Sequence, residues 1–311
     1  MLFADMKNDF VFRRIFATNP EILRCLLNDL LERSGDRTIE SIEYLPGEQL
    51  PLIPGFKLSI LDVRCRDRLG AKFIVEMQLV HVPGFDKRVV YNAAKAYADQ
   101  LMAGEPYTKL EDVVAVSICD FNLWSDAEQK ANGLPTVPML SRWNMRERTS
   151  LNHGLLQIQY AFLELPKVPK EKPKEAGAAL WAWLFVHAPT LSEIPDDLPD
   201  IRYREALSIA NQMTFTKDEL EAYHKAVDEI EQLRVLIDAK WVEGHKAGVV
   251  EGHKAGAVEG KTSAIFTIFA ARGMAVSDAA RTRILACNDI ALLEQWIGLA
   301  ISVASVDELI A

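Results

Sequence analysis

The sequence predicts an α/β domain built on a mixed β-sheet and followed by an α-helical C-terminal region. Within residues 58–80, apolar and polar residues alternate in two runs, which is typical of half-buried strands. Apolar residues at helical spacing lie on both sides of this stretch. A run of β-branched and small apolar residues at 113–119 adds an interior strand. The resulting order is helix, three strands, helix, strand, and a chain of 311 residues has room for that core and a second region.

The first elements are helical. Residues 9–32 are amphipathic at helical spacing and are interrupted by Pro20, so we expect two helices or a kink near Thr18 and Asn19. A strand over 39–45 then enters a link over 46–55 that is rich in proline and glycine.

The central hairpin sets two carboxylates opposite each other. Its strands are joined by residues 67–71, which are mostly polar and contain a glycine. One register brings apolar residues together: Leu61 with Met77, Val63 with Val75, and Cys65 with Phe73. This register places Asp62 opposite Glu76, with Gln78 one step along on the same face. Like charges so placed are destabilising, which indicates a shared cation or a shared proton. The alternative is an ordinary solvated face of an antiparallel sheet.

The rest of the domain follows from the same patterns. We expect a helix over about 86–103, ended by Gly104, whose packed side is Val89, Val90, Ala93, Ala96, Tyr97 and Leu101. Residues 155–165 alternate again and predict a further strand. The charged, proline-rich segment 167–174 is a linker, so the first domain is predicted to span residues 1–166.

The C-terminal part is predicted to be helical. Residues 175–241 form one region, with a helix around Trp181 and others at about 202–212 and 217–241. An eight-residue repeat at 242–261 has glycine at every fourth position, and each glycine in a helix costs about 1 kcal/mol relative to alanine. The repeat is therefore a ridge for close packing of another helix or a loose spacer. Residues 262–311 predict two or three short helices, broken near Gly273 and Asn288.

Apolar residues upstream of the repeat suggest how it packs. They follow a three-four spacing from Leu220 to Trp241, which can seed a helix pair. We expect this arm to be ordered when it packs on another helix, most simply in a homo-oligomer formed through the C-terminal helices.

Composition excludes several classes of protein. The net charge is −9, with 19 basic and 22 acidic residues in 1–165, which argues against a surface coated for nucleic acid, although arginine is concentrated there. Four scattered cysteines indicate neither a zinc knuckle nor a disulfide framework. The sequence shows no secretory core and no apolar run that would span a bilayer, so we expect a cytoplasmic protein without a membrane partner.

Three other sequence features do not indicate a functional site. Gly260-Lys261-Thr262 lacks the glycine spacing and the preceding strand of a phosphate-binding loop. His245 and His253 are eight positions apart, about 12 Å along a helix, and cannot bind one metal ion in one chain. His81 and His153 have no motif partner.

Asp62, followed by Glu76-Met77-Gln78 at the end of the next strand, resembles the PD-(D/E)xK nuclease superfamily. More narrowly, the chain resembles the bacterial recombination-promoting nuclease/putative transposase family. Supporting segments are residues 7–16 (KNDFVFRRIF), Arg88 to Leu101, and the C-terminal repeat. The nuclease resemblance covers about residues 5–165.

The resemblance implies a restriction-endonuclease-like αβββαβ fold and metal-dependent cleavage of DNA phosphodiesters. It assigns Mg²⁺ or Mn²⁺ to Asp62, Glu76 and Met77, because hard cations prefer oxygen ligands. The lysine of the superfamily is replaced here by Gln78, which carries no charge. Two further catalytic residues are therefore predicted: Lys95 as a substitute cation, and Asp9 as the acid of the first helix, with Glu21 in reserve.

Two other functions remain open at this stage. The first is a nuclease-fold module that binds DNA or assembles with partners and has a silent metal site. The second is a helical interaction protein driven by the C-terminal repeat, in which the hairpin is only structural. Plasmid cleavage by the wild type and by Asp62→Ala discriminates among these functions.

Overall fold

The computed structural model describes residues 2–49 and 59–310; residues 50–55 of the predicted link over 46–55 therefore lie outside the described residues. Its strands are β1 (Ile42–Leu45), β2 (Glu48–Gln49), β3 (Ser59–Ile60), β4 (Val63–Asp67), β5 (Lys72–Gln78), β6 (Val113–Cys119), β7 (Leu140–Arg146) and β8 (Gly154–Glu164). Its α-helices are α1 (Asp9–Phe16), α2 (Pro20–Leu31), α3 (Phe85–Ala98), α4 (Asp126–Ala131), α5 (Ala178–His187), α6 (Ile201–Ala210), α7 (Lys217–Ala271), α8 (Asp278–Ala286), α9 (Ile290–Ala300) and α10 (Val306–Ile310).

One mixed sheet organises the first part of the chain. Its strand order is β1-β4-β5-β6-β8-β7, and β2 pairs separately with β3. The pairs β1–β4, β4–β5 and β7–β8 are antiparallel, whereas β6 lies parallel to both β5 and β8. The predicted fold class, an α/β core with a mixed sheet and a helical C-terminal region, is confirmed.

Two helices before the sheet arise as the sequence predicts. The side chain of Asn8 accepts a hydrogen bond from the backbone N–H of Phe10 and so caps the start of α1. Pro20 stands in the first turn of α2, where its missing N–H costs nothing. The interruption near Asn19 is therefore a break between two helices.

The two faces of the sheet pack against different helices. One face buries Val63, Cys65, Val75, Met77 and alternate residues of β6 and β8 against α1, α2, α5 and α6. The other face buries Ile74, Ala115 and Phe162 against α3. Because successive side chains of a strand point to opposite faces, Met77 and Glu76 belong to different faces of β5. Helices α5 and α6, which follow the 167–174 segment, thus share a core with α1 and α2.

The predicted hairpin register holds within the ladder but stops before Asp62. Val63 pairs with Val75 and Cys65 with Phe73, as expected. Asp62 lies in a bend, however, and Leu61 packs in the α3 core instead of joining Val63 on the opposite face. The prediction that Leu61 continues the alternation is wrong, because the bend at Asp62 ends the pleat.

Helix α3 is shorter than predicted. It ends at Ala98 rather than near residue 103, and Val90 is 51% exposed rather than packed. Beyond the helix, the side chain of Gln100 donates to the carbonyl of Glu111 and accepts from its N–H, at 2.9 Å each. These two bonds hold the chain in a non-helical path towards β6.

Strand β7 and the short helix α4 were not predicted. Only Ser141 is buried in β7, and its last five residues are exposed, so the sequence carries no alternation of burial there. An edge strand of this kind is specified by its neighbour, β8, rather than by its own hydrophobic pattern.

The chain divides into two compact units, Met1–Glu231 and Gln232–Ala311, and the division falls within α7. In the second unit, a separate core includes Ile265, Phe269, Leu293 and Trp296. Gly273 has a positive φ just after α7, and Asn288 lies between α8 and α9, so both predicted breaks occur. Throughout the described part of the chain, no helix is both long and apolar enough to cross a membrane.

Candidate active site

Asp62 stands where β4 would continue if its ladder with β5 were one residue longer. Its Oδ2 accepts a hydrogen bond of 2.8 Å from the backbone N–H of Met77. The side chain therefore replaces the backbone partner that a regular strand would supply to Met77. This bond brings the carboxylate to the end of β5, beside Glu76.

Glu76 is a buried acid on the α3 face of β5, with 6% of the residue exposed. Its Oε1 accepts a hydrogen bond of 3.1 Å from Nδ2 of Asn92 on α3. Its Oε2 is buried and, among the described residues, has no hydrogen-bond partner. The Nη2 of Arg88 lies 4.0 Å from that oxygen. A buried carboxylate oxygen without a partner is costly, and it indicates a place for a cation.

The backbone carbonyl of Met77 points towards the two acids, Asp62 and Glu76. The carbonyl of Gln78 accepts from the N–H of Asp120 on the β6 side of β5. Because neighbouring carbonyls of a strand point to opposite edges, the carbonyl of Met77 points to the β4 side, near Asp62. The thioether of Met77 packs in the core on the other face of the sheet. Only the backbone oxygen of this residue is thus placed as a ligand.

Helix α1 contributes Arg13 and Asp9, and Arg13 contacts Asp62. Arg13 donates from Nη2 to Oδ1 of Asp62 at 3.2 Å and from Nε to Asp9 at 2.9 Å. Asp9 and Arg13 are four residues apart and so neighbours on the helix surface. Asp9 is thereby connected to the site through Arg13, whereas Glu21 pairs with Arg24 on α2.

Helix α3 presents a polar row to the other acid. Arg88, Asn92 and Lys95 are spaced by four and three residues, so they lie on one side of the helix. Asn92 binds Glu76, and Arg88 donates from Nη2 to Oε1 of Gln78 at 2.5 Å. Lys95, one turn beyond Asn92, is half-buried.

Burial is the main cause of a raised pKa at both acids. It raises the pKa of Asp62, with Asp9 adding to the effect while the Met77 N–H and Arg13 oppose it. Burial also raises the pKa of Glu76, opposed by Arg88 and reinforced by the charge of Asp62. Each carboxylate therefore becomes more easily ionised when a cation joins them.

The donor set fits a small divalent cation. In the ranges 2–49 and 59–310, no three histidine, cysteine, aspartate or glutamate side chains form a metal-binding group. A site here consequently depends on two carboxylates and one backbone carbonyl, with the unpartnered Oε2 of Glu76 as the open ligand. Mg²⁺ is commonly held by one or two carboxylates, with water and substrate phosphate supplying its other ligands.

The structure thus brings together Asp62, Glu76, Met77 and Gln78, and it connects Asp9 to them through Arg13. Sequence reasoning missed the roles of Arg13, Asn92 and Arg88 as partners of these acids. Helical spacing could have pointed to them, since Arg13 is four residues from Asp9, Asn92 is three residues from Lys95, and Arg88 is four residues before Asn92.

Taken with the sheet order, these features define a class of protein: an α/β fold of the PD-(D/E)XK type. A family model described as "PD-(D/E)XK nuclease family transposase" matches residues 6–239, more than half of the chain. The chain belongs to this family, which indicates a nuclease-type function. A search of curated proteins and a search of solved structures each found no match.

Proposed function

We propose that this protein is a metal-dependent DNA endonuclease of the recombination-promoting, transposase-like type. The observation that carries the proposal is the pair Asp62 and Glu76 at the end of β5, with one buried carboxylate oxygen left without a partner. Family membership supports a hydrolase that acts on DNA. We expect the reaction to take place in the cytoplasm.

Asp62, Glu76 and the backbone carbonyl of Met77 are the proposed ligands of Mg²⁺ or Mn²⁺. The Met77 N–H orients Asp62, and Asn92 orients Glu76, so that the second oxygen of Glu76 is the one left available. When bound, such an ion lowers the pKa of a coordinated water and offsets charge that develops on the phosphate.

The reaction consumes one water molecule. Its oxygen forms a bond to phosphorus while the bond from phosphorus to the leaving sugar oxygen breaks. One proton of the water is transferred to the leaving oxygen, which becomes a hydroxyl group. The other proton stays on the new phosphate or is released. Asp62 and Glu76 serve this step as charged, fixed ligands, because their raised pKa values are lowered again by a bound cation.

Two more predicted site residues are proposed to assist. Asp9 balances the charge of Arg13 and so keeps that guanidinium on Asp62. Lys95 shares the polar side of α3 with Asn92, and a cation there would stabilise negative charge in the transition state.

A second candidate is a catalytically silent module that binds DNA. One observation favours it: β5 ends in Gln78, so the strand supplies no cation at the end where the two acids lie. Such a protein would bind a DNA duplex with or without a divalent ion and would not cleave it.

The deciding experiment is nicking of supercoiled plasmid in Mg²⁺ or Mn²⁺ by the wild type, Asp62→Ala and a matched control. Glu43→Gln is a suitable control, because Glu43 is an exposed acid of β1 that pairs with Arg66. We expect the wild type and the control to cleave and Asp62→Ala to be inactive. Equal cleavage by all three would refute the assignment, and binding without cleavage by the wild type would favour the silent module.

A further inference from the structure

Gln78 ends β5, where the superfamily that the sequence resembles has a lysine, and both its amide nitrogen and its amide oxygen are hydrogen-bonded within the protein. Its Nε2 donates to the carbonyl of Met77 at 3.0 Å, and its Oε1 accepts from Arg88 at 2.5 Å. An amide held at both ends is a rigid support. What Gln78 supports is the guanidinium of Arg88.

Arg88 has an unused donor at the site. Its Nη2 binds Gln78 and lies 4.0 Å from Oε2 of Glu76, which is longer than a hydrogen bond. Its Nε is buried and makes no hydrogen bond to any residue that the structure describes. Among the described residues, Nε of Arg88 and Oε2 of Glu76 are thus both buried without a hydrogen-bond partner, and each indicates a ligand because an unpaired buried polar atom is costly.

Water on the inner side does not satisfy Oε2 of Glu76. The cavity lined by Glu76, Asn92 and Ser117 has no room for a water molecule. The missing partners must therefore approach from the side where Asp62 and Arg88 lie. Oε2 of Glu76 needs a cation, and Nε of Arg88 needs an acceptor such as an anionic oxygen.

Neighbouring cations at this edge of the sheet are already engaged. Lys7 donates to both carboxylate oxygens of Asp120, at 3.1 and 3.2 Å. Arg13 is divided between Asp9 and Asp62. Arg88, by contrast, has a neutral partner in Gln78, and its positive charge is not cancelled by a hydrogen-bonded carboxylate.

We propose that Arg88 binds the phosphodiester that is cleaved, and that Gln78 is the positioning residue that aims its guanidinium. A guanidinium suits this role because it offers several N–H donors in a fixed plane to phosphate oxygens. The inference rests on the proposed nuclease function, and it assigns the strand's missing positive charge to α3.

The test compares Arg88→Ala with Lys87→Ala, which removes a positive charge from an exposed position next to it on α3. Binding of a fluorescein-labelled DNA duplex is measured in Ca²⁺, and cleavage of the same duplex in Mg²⁺. We expect Arg88→Ala to weaken binding about tenfold and to lower kcat by about 10²-fold, in the range found when one transition-state donor is removed. Lys87→Ala should match the wild type in both.

Two further measurements separate a ligand role from a structural one. Guanidinium ions, added at concentrations too low to unfold the protein, should restore part of the activity of Arg88→Ala, and Arg88→Lys should retain more activity than Arg88→Ala. The melting temperature of Arg88→Ala should stay close to that of the wild type. A large fall in melting temperature without rescue by either route would overturn the proposal.

Failure of the inference is distinguishable from failure of the proposed function. Cleavage by the wild type with equal binding and cleavage by Arg88→Ala would overturn only the role of Arg88. No cleavage by the wild type would overturn the proposed function, and the binding comparison in Ca²⁺ would then decide: weaker binding by Arg88→Ala supports the inference, and equal binding overturns it.

Discussion

Asp62 ends the β4–β5 ladder with its side chain, and the geometry of the site depends on this residue. Its carboxylate takes the N–H of Met77, the chain bends, and Leu61 turns to the α3 core. A residue without a side-chain acceptor here would leave that N–H unpaired, which costs about 1–3 kcal/mol in a buried place. Asp62 therefore serves both the fold and the site.

Replacing Glu76 by glutamine tests the metal site at a single atom. We expect Glu76→Gln to lose plasmid nicking and to weaken Mn²⁺ binding by more than about 100-fold, since changes at partners of a ligand already cost 10- to 100-fold. Titration calorimetry measures the affinity, with Glu43→Gln as the control. Unchanged Mn²⁺ affinity would show that Glu76 is not a ligand.

Arg13 controls how easily Asp62 ionises. Arg13→Ala removes the cation that opposes burial and the charge of Asp9, so the pKa of Asp62 should rise further. Because a ligand must be deprotonated to bind a cation, the pH at which Mn²⁺ binding is half-maximal should move upwards. Arg66→Ala, which removes an exposed arginine of β4 that pairs with Glu43, should leave this pH unchanged. An identical profile for Arg13→Ala and the wild type would contradict the prediction.

At the scale of elements, α3 combines packing with chemistry. Phe85, Val89, Ala93 and Ala96 bury one side of the helix against the sheet, which fixes the rotation of the helix. Once that rotation is set, Arg88 and Asn92 contact Gln78 and Glu76. The apolar spacing of the helix thus decides which polar residues reach the site.

Lys95 is the next polar residue on that side. We expect Lys95→Ala to lower the cleavage rate, by less than Arg88→Ala, and to change the melting temperature little. Lys95 lies one turn beyond Asn92, so its charge would be farther from the phosphate than that of Arg88, and the attraction between charges falls with distance. Single-turnover kinetics with Lys87→Ala as the control measure the effect, and a wild-type rate would exclude Lys95 from the reaction.

Helix α7 raises the question of what stabilises a helix rich in glycine. Ion pairs such as Lys225–Glu229 and the stacking of Trp241 on His245 give local support, each pair contributing about 0.2–0.5 kcal/mol. Five glycines cost about 1 kcal/mol each. A methyl group added at Gly244, Gly248, Gly252 or Gly256 would meet no atom of the described residues within 4 Å. We propose that the partner is the α7 helix of a second copy, packed along this glycine row, as the three-four spacing from Leu220 to Trp241 predicts.

Alanine at those four glycines separates a packing ridge from a spacer. In a homo-oligomer the added methyl groups should clash and reduce association, whereas in a free helix they should only increase helicity. Analytical ultracentrifugation and circular dichroism measure the two effects. Gly298→Ala in α9, also open in the chain, is the control. Increased helicity with an unchanged oligomer mass would refute the packed arm.

At the scale of the whole molecule, the two acids link stability to pH. A carboxyl whose pKa is raised in the folded state contributes stability that is fully present below its unfolded pKa, about 4. This contribution is lost as the pH rises through the folded pKa, because the unfolded chain then ionises more readily. Asp62 and Glu76 both have raised pKa values.

Without a divalent ion, Glu76→Gln should therefore gain stability over the wild type as the pH rises from about 4 to 7, and the two should converge at low pH. Each 1 kcal/mol corresponds to about 2–4 °C in melting temperature for a unit of this size. Mn²⁺ should raise the melting temperature of the wild type more at pH 8 than at pH 5. Parallel melting curves for the two proteins across this range would contradict the assignment of the raised pKa.

Much of the fold was readable from the sequence. Alternation predicted β4, β5 and β8, a continuous apolar run predicted β6, and apolar pairing selected the register from Val63 to Cys65. Pro20 and Gly273 marked helix boundaries that the structure contains. These features were predictable because each depends on local backbone geometry or on a hydrophobic period within one element. The same register predicted Asp62 opposite Glu76, whereas the ladder stops at Val63 and Asp62 reaches the end of β5 through its side-chain bond to the N–H of Met77.

Tertiary structure decided the rest. The edge strand β7 follows from pairing with β8, and α3 ends where Gln100 binds the backbone of Glu111. Arg13 reaches Asp62 from α1, and Arg88 and Asn92 reach β5 from α3, so the partners of the acids come from both faces of the sheet. No period in the sequence encodes such a meeting, because it depends on how each helix is rotated and packed after its apolar side has been buried.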